Sequence, residues 1–357
     1  GHHAKRHRND SDAFRAACRK DFQKVDPAYI DLTVDPDYED FNKALESVWD
    51  SEHENHPERE NGEDDTPLEV IYAQVLAAQF EFFKTSNRRP FALPKSGVRR
   101  PVFLSPSGQG GLRNTFALAL LSRGLRPAWS VIESVLAIRY LLTSEEAPTL
   151  EPHLRAVQTD EGVVLDLGRS EDTACVVITA DGWKVRDEPP EGVVFRLSGA
   201  TRPLPVPVKP EDPEALAYIL GFERDDRRWL LVRGWLACAL LANVPRPVLF
   251  LYGRQGTAKT TKGQMLVNVF DPRDHLGSSF GQNADSEIAM AMARYLVAWD
   301  NVAAVSQEVS DRLCRFVTGA TEDQREFYTN ADLVTFEYMR TGVITGLSVP
   351  GFRPDAL

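Results

Sequence analysis

With 357 residues, 43% of them apolar and 26% charged, the chain has the composition of a globular protein of two or three domains, which excludes a fibrous or wholly disordered one. Its longest strongly apolar stretch, Trp235 to Val244, is too short to cross a bilayer and runs into Pro245, and its four scattered cysteines show neither a zinc spacing nor a dense disulfide framework. No membrane association is expected, a reducing cytoplasm fits, and the net charge of −11 sits almost wholly in residues 1–66, where 18 acids face 9 bases.

In chain order, residues 11–49 carry helix-like spacing (Ala13, Phe14, Ala17, then Phe41, Ala44, Leu45, Val48), and Asp50 to Asp65 reads as a solvated linker. Residues 1–66 are thus expected to be a polar, acidic N-terminal segment. Leu68, Ile71, Val75, Ala78 and Phe82 predict a helix from Leu68 to Phe83, and two more follow at Leu112 to Ser122 and Ala128 to Leu142, parted by Gly124 and Pro127. From His153 the texture turns β-rich: His153 to Val157, Val163 to Leu167, Cys175 to Ile178, Trp183 to Val185 and Val193 to Leu197 alternate with Asp-Glu-Gly and Asp-Gly turns and predict a β-meander. Trp183 and Phe195 are expected in its core. Residues 67–202 then form an N-terminal α+β accessory domain, the proline-rich 203–214 a linker, and 215–357 a further domain that includes a helix from Asp226 to Ala242.

Pro247 to Tyr252 is an apolar run of the length of a strand buried on both faces. It leads into Gly253-Arg254-Gln255-Gly256-Thr257-Ala258-Lys259-Thr260, followed by Thr261, the pattern of a phosphate-binding loop with Ala258 where a second glycine is usual. Polyphosphate needs a loop whose backbone N–H groups point inward and a following helix that presents its N-terminus. In that reading the whole of Gly253 to Thr261 touches ATP, Lys259 reaches the β- and γ-phosphates, and the Thr260 hydroxyl holds Mg²⁺. A helical φ at Ala258 would accommodate the methyl group, whereas a positive φ would cost stability. Tyr295 to Asp300 supplies the second requirement, an apolar run ending in a carboxylate that joins Thr260 at the metal. Asn301 follows, where many ATPases place a catalytic glutamate.

These motifs resemble the superfamily 3 helicases, most closely the phage- and plasmid-type ATPase domains related to virus primase-helicases. The matching elements are the loop itself, Val297-Ala-Trp-Asp-Asn301, Leu313-Cys-Arg-Phe-Val-Thr-Gly-Ala320 with Arg325-Glu-Phe-Tyr328, and Arg340-Thr-Gly-Val-Ile-Thr-Gly346. Residues 67–200 also look like the region that precedes the ATPase in actinobacterial-type members. The resemblance implies an α/β P-loop NTPase of AAA+-like, superfamily 3 type at 215–357, cut short at its C-terminus before any arginine finger or lid. It implies an enzyme that hydrolyses ATP with Mg²⁺ to translocate on or unwind DNA, single-stranded DNA as partner, a ring such as a hexamer, and a primase domain upstream. Thr345 stands at the sensor position, where the family usually has Asn, and joins Lys259, Asp300 and Asn301 as a catalytic candidate. Arg325 and Arg340 are candidates for contact with DNA or a neighbouring subunit.

The substitutions at Asn301 and Thr345 motivate a competing reading, an ATP-binding switch or DNA-loading module with weak hydrolysis. A primase activity of the chain itself would need paired carboxylates in 67–200, and none are apparent. His153, Asp160, Glu161 and Asp166 are read as turn and strand residues and not as a metal site.

Overall fold

The computed structural model describes residues 67–348 except 109–110, 242–243, 245, 278–283, 304 and 326–332. The acidic segment 1–66, the Glu326-Phe-Tyr328 part of the third motif and residues 349–357 lie outside the described residues. The chain divides into two compact units at Leu150 and Glu151.

The first unit contains helix α1 (Leu68–Gln79), an antiparallel sheet of β1 (Phe80–Lys84), β2 (Pro90–Pro94) and β3 (Val102–Phe103), and helices α2 (Gly111–Leu121) and α3 (Trp129–Glu146). The helix expected to reach Phe83 ends at Gln79, because Phe80, Phe82 and Phe83 take the strand that their aromatic side chains favour and pair with β2. Phe83 stacks on Phe91 with ring centroids 5.5 Å apart. The buried face of α1 is Tyr72, Val75 and Leu76, packed with Phe116, Leu120, Ile132 and Leu136, while Leu68 stays outside. The other two expected helices form within a few residues of their predicted ends.

The second unit begins with a short parallel pair, β4 (Pro152–His153) and β9 (Val194–Phe195). Between them β5 (Ala156–Thr159), β6 (Gly162–Asp166), β7 (Cys175–Thr179) and β8 (Gly182–Arg186) pair antiparallel in sequence order, which is the expected meander. Gly162 is required at its first turn: its φ is +141°, and a Cβ there would lie 2.1 Å from the Ile178 carbonyl oxygen. Phe195 is buried as expected, but Trp183, on edge strand β8, is 45% exposed.

A four-stranded meander has two faces to cover, and here both are used. Val164, Cys175, Val177 and Phe195 form one small cluster. Leu154, Leu165, Leu167, Ala174 and Val176 join a core that also holds Trp229, Trp235, Leu266, Val267, Tyr295 and Val343. The β-rich residues therefore share a core with the loop-bearing residues, and the division lies at 150/151, not at the expected 202/203. Nor is the proline-rich stretch wholly a free linker, since Leu204 is buried in that core and its N–H donates to the Leu167 carbonyl at 2.7 Å.

After α4 (Ala215–Ile219) and α5 (Arg227–Leu240) comes a parallel three-stranded sheet in the order β10 (Val248–Tyr252), β14 (Thr341–Gly346), β11 (Leu296–Trp299). Helix α6 (Lys259–Asn268) follows β10, and α7 (Ala284–Ala293) precedes β11. Helix α8 (Gln307–Thr318) leads into the antiparallel hairpin of β12 (Ala320–Arg325) and β13 (Leu333–Tyr338), which runs directly into β14. Parallel strands bring their C-terminal ends to one edge of the sheet. Tyr252, Trp299 and Gly346 all end there, so β14 carries Thr345 between the loop and Asp300.

Candidate phosphate-binding site

The expected strand, loop and helix form in register, β10 ending at Tyr252 and α6 beginning at Lys259, although β10 is only partly buried and not covered on both faces as its apolar run suggested. Gly253 (φ 154°) and Gly256 (φ 80°) supply conformations open to glycine, and Arg254 to Ala258 lie exposed at the sheet edge. Ala258 departs from the helical φ that its place before α6 suggested. Its φ of 57° and ψ of 30° are left-handed, which for a residue with a Cβ costs about 1–2 kcal/mol.

Lys259 folds back across the loop, its Nζ donating to the carbonyls of Gly253 and Arg254 at 2.9 Å each. Thr257 closes the same turn by donating to Arg254 O at 2.9 Å. One residue into α6, the Thr260 hydroxyl donates to Asp300 Oδ1 at 2.9 Å. Thr345 Oγ1 donates to that same carboxylate oxygen and accepts the Asn301 N–H at 2.9 Å, while the Val302 N–H donates to Thr345 O at 2.8 Å. Asn301, at φ 55°, makes the left-handed turn that these bonds fix, a conformation Asn tolerates better than most residues. Lys259, Thr260, Asp300, Asn301 and Thr345, separated by up to 86 positions in sequence, thus meet at one sheet edge. Thr261 is exposed on α6, and Arg254 and Gln255 are exposed on the loop.

The donor set fits Mg²⁺: a hydroxyl and a carboxylate are hard oxygen ligands, and no arginine or lysine bond to Asp300 is formed among the described residues. Elsewhere, His153, Asp160, Glu161 and Asp166 do not gather, and the described residues contain no group of three or more His, Cys, Asp or Glu able to hold a metal.

The two arginine candidates separate. Arg325 lies in β12, and its side chain is outside the described residues. Arg340 turns inward: its Nε donates to Ala291 O at 3.0 Å and Arg294 O at 3.1 Å, and its NH1 to Met339 O at 3.1 Å. Burial pulls its guanidinium down to about 10, and the neighbouring Arg246 acts in the same direction. It caps the C-terminal end of α7, where carbonyls lack helical donors and the helix dipole favours a cation. Arg196 and Ser198 cap the same end, donating to Met292 O and Ala293 O at 2.7 Å each. Arg340 thus braces the end of α7 with its Nε and NH1, a role that its motif did not suggest.

Asp271 went unnoticed in the sequence, yet it holds the start of β11. Its Oδ2 accepts the N–H groups of Tyr295 and Leu296 at 3.1 Å each and pairs with Arg273 at 2.7 Å. Arg155, 1% exposed and carried by the β-rich region, approaches Asp271 Oδ1 at 3.9 Å. The only local signal was the Asp-Pro-Arg of 271–273, which reads as a turn.

Residues 216–357 match the model of a family described as actinomycete integrative conjugative element replication protein. No curated protein matches the chain. Among solved structures it is similar to the C-terminal region of NrS-1 in its apo form, at 16% identity and a TM-score of 0.39 over 80% of this chain and 58% of that one. It is also similar to SCCmec type IV Cch, described as an active helicase, at 12% identity and a TM-score of 0.38 over 75% and 50%. The chain therefore spans only about half to three-fifths of the length of these structures. No described helix is long and apolar enough to cross a membrane.

Proposed function

We propose that residues 151–357 form an ATP- and Mg²⁺-binding P-loop ATPase of superfamily 3 type, a cytoplasmic motor that couples hydrolysis to movement on or unwinding of DNA in the replication of a mobile element. The convergence of Thr260 and Thr345 on one oxygen of Asp300, beside Lys259 and an exposed loop, carries this reading. The replication-protein family matched by 216–357 supports the biological setting. Assembly into a ring on single-stranded DNA, with a primase domain upstream, belongs to the same proposal.

In this reading the backbone of Gly253 to Ala258 and the first turn of α6 receive the polyphosphate. Lys259 exchanges two neutral carbonyl acceptors for phosphate oxygens, a stronger charge-assisted pairing. Thr260 and Asp300 would hold the metal, which when bound would supply positive charge to offset the charge that develops on the transferred phosphoryl group. Asn301 has no carboxylate with which to take a proton from the attacking water, so its amide can orient that water only by hydrogen bonding. That feature favours a second reading, an ATP-dependent switch or DNA-loading module that turns over slowly.

ATPase measurements on the full chain with and without single-stranded DNA separate the readings. The motor reading predicts DNA-stimulated turnover that Lys259→Ala removes. Nucleotide binding without stimulated turnover supports the switch, and indifference of both binding and turnover to Lys259→Ala sinks both.

A further inference from the structure

The position of Thr345 suggests a sensor of the terminal phosphate, but its hydrogen bonds describe different work. A threonine hydroxyl has one proton to donate and two lone pairs to offer. Thr345 directs that proton to Asp300 Oδ1 and receives the Asn301 N–H, while its backbone oxygen receives the Val302 N–H. Its residue is 1% exposed, on the central strand of the sheet. Phosphate oxygens only accept hydrogen bonds, so a hydroxyl whose proton is held by Asp300 has nothing to give them.

We propose that Thr345 is a positioning residue for Asp300 and the Asn301 turn, serving the Mg²⁺ carboxylate and not the γ-phosphate. Resting on the nucleotide-binding reading above, it assigns this side chain to the metal half of that site. Thr260 and Thr345 hold one carboxylate oxygen from two different elements, α6 and β14. That double grip fixes the Asp300 side chain at its single-bond torsions, leaving Oδ2 without a protein donor among the described residues and available to the metal or its waters. The bond to Asn301 N–H extends the grip to the backbone and stabilises the left-handed turn after β11. Loss of the hydroxyl therefore loosens the metal ligand and leaves the phosphate cradle of Gly253 to Lys259 untouched.

Binding of a fluorescent, non-hydrolysable ATP analogue and of its diphosphate counterpart to the full chain tests this, in a Mg²⁺ titration and in EDTA. Thr345→Val keeps the shape and the strand preference of threonine and removes only the hydroxyl. It is expected to raise the Mg²⁺ concentration for half-maximal binding by roughly tenfold or more, the worth of a hydrogen bond to a charged group. In EDTA its preference for triphosphate over diphosphate should stay that of the wild type. Thr345→Ser, which restores the hydroxyl, should return the Mg²⁺ requirement to within about twofold, taking partial rotamer freedom as its only loss. If the valine variant does not fold, Thr345→Ala is compared with Thr345→Ser by the same readout. An unmoved Mg²⁺ requirement, or a lost triphosphate preference in EDTA, overturns the proposal while wild-type binding leaves the nucleotide reading intact. Absence of Mg²⁺-dependent binding by the wild type overturns both.

Discussion

Strand β11 has a carboxylate at each end, and the two are held in opposite ways. Asp271, at its start, is 3% exposed and is neutralised by Arg273, with Arg155 close by and two backbone N–H groups filling its other bonds. Asp300, at its finish, is half-buried, and its bonds come from two neutral hydroxyls. A carboxylate matched by fixed arginines has its charge cancelled within the fold. One held by hydroxyls is oriented but keeps its charge for a cation from outside. The same contrast divides the arginines: Arg340 and Arg273 spend donors on part-buried carbonyls or a carboxylate, whereas Arg254 is exposed on the loop.

The largest expected effect breaks the inner end. Asp271→Asn leaves the buried Arg273 guanidinium without its countercharge and should destabilise the unit by about 3–5 kcal/mol, read as a fall in the denaturation midpoint. Asp300→Asn, with no ion pair to break, should change stability without ligand by less than about 1 kcal/mol. If the two variants lost equal stability, the distinction between a structural and a ligand-directed carboxylate would fail. A smaller effect is expected on the loop itself. Replacing Ala258 by glycine removes a left-handed strain at the cost of some unfolded-chain entropy, and should raise stability by about 0.5–1 kcal/mol in the same melt. A drop in stability there would mean that the methyl group contributes packing that outweighs the strain.

What the sequence revealed and what it hid follow the same line. The outer site was legible because each part is local: an apolar strand with glycines after it, a lysine and threonine opening a helix, and an apolar run closing on Asp300. Even Thr345 could be placed by its motif, although not its bonds, which depend on β14 lying between β10 and β11. The inner end was illegible, since Asp271, Arg155 and Arg340 look like ordinary surface charges until tertiary structure brings them to backbone groups far along the chain. The unit boundary was hidden for a related reason. The alternation of β5 to β8 reveals a meander but not what covers its faces, and one of them is covered by residues from α5, α6 and β11. Trp183 errs in the other direction, because a tryptophan on an edge strand has fewer neighbours than its size suggests. At Ala258 the glycine usual in this loop was the one hint, but the side chain itself gives none, as its left-handed φ is imposed by the loop and not by its own preference.

In the proposed function Asp300, and not merely the loop, holds Mg²⁺-nucleotide at this edge. Thermal melting of the full chain with and without Mg²⁺-ATP tests it most directly, since a ligand present at about 100 times its Kd stabilises the folded state by about 2.7 kcal/mol. The wild type should melt higher with Mg²⁺-ATP, while Asp300→Asn should match the wild type without ligand and lose most of that rise. An Asp300→Asn variant that gains as much from Mg²⁺-ATP as the wild type would contradict the account.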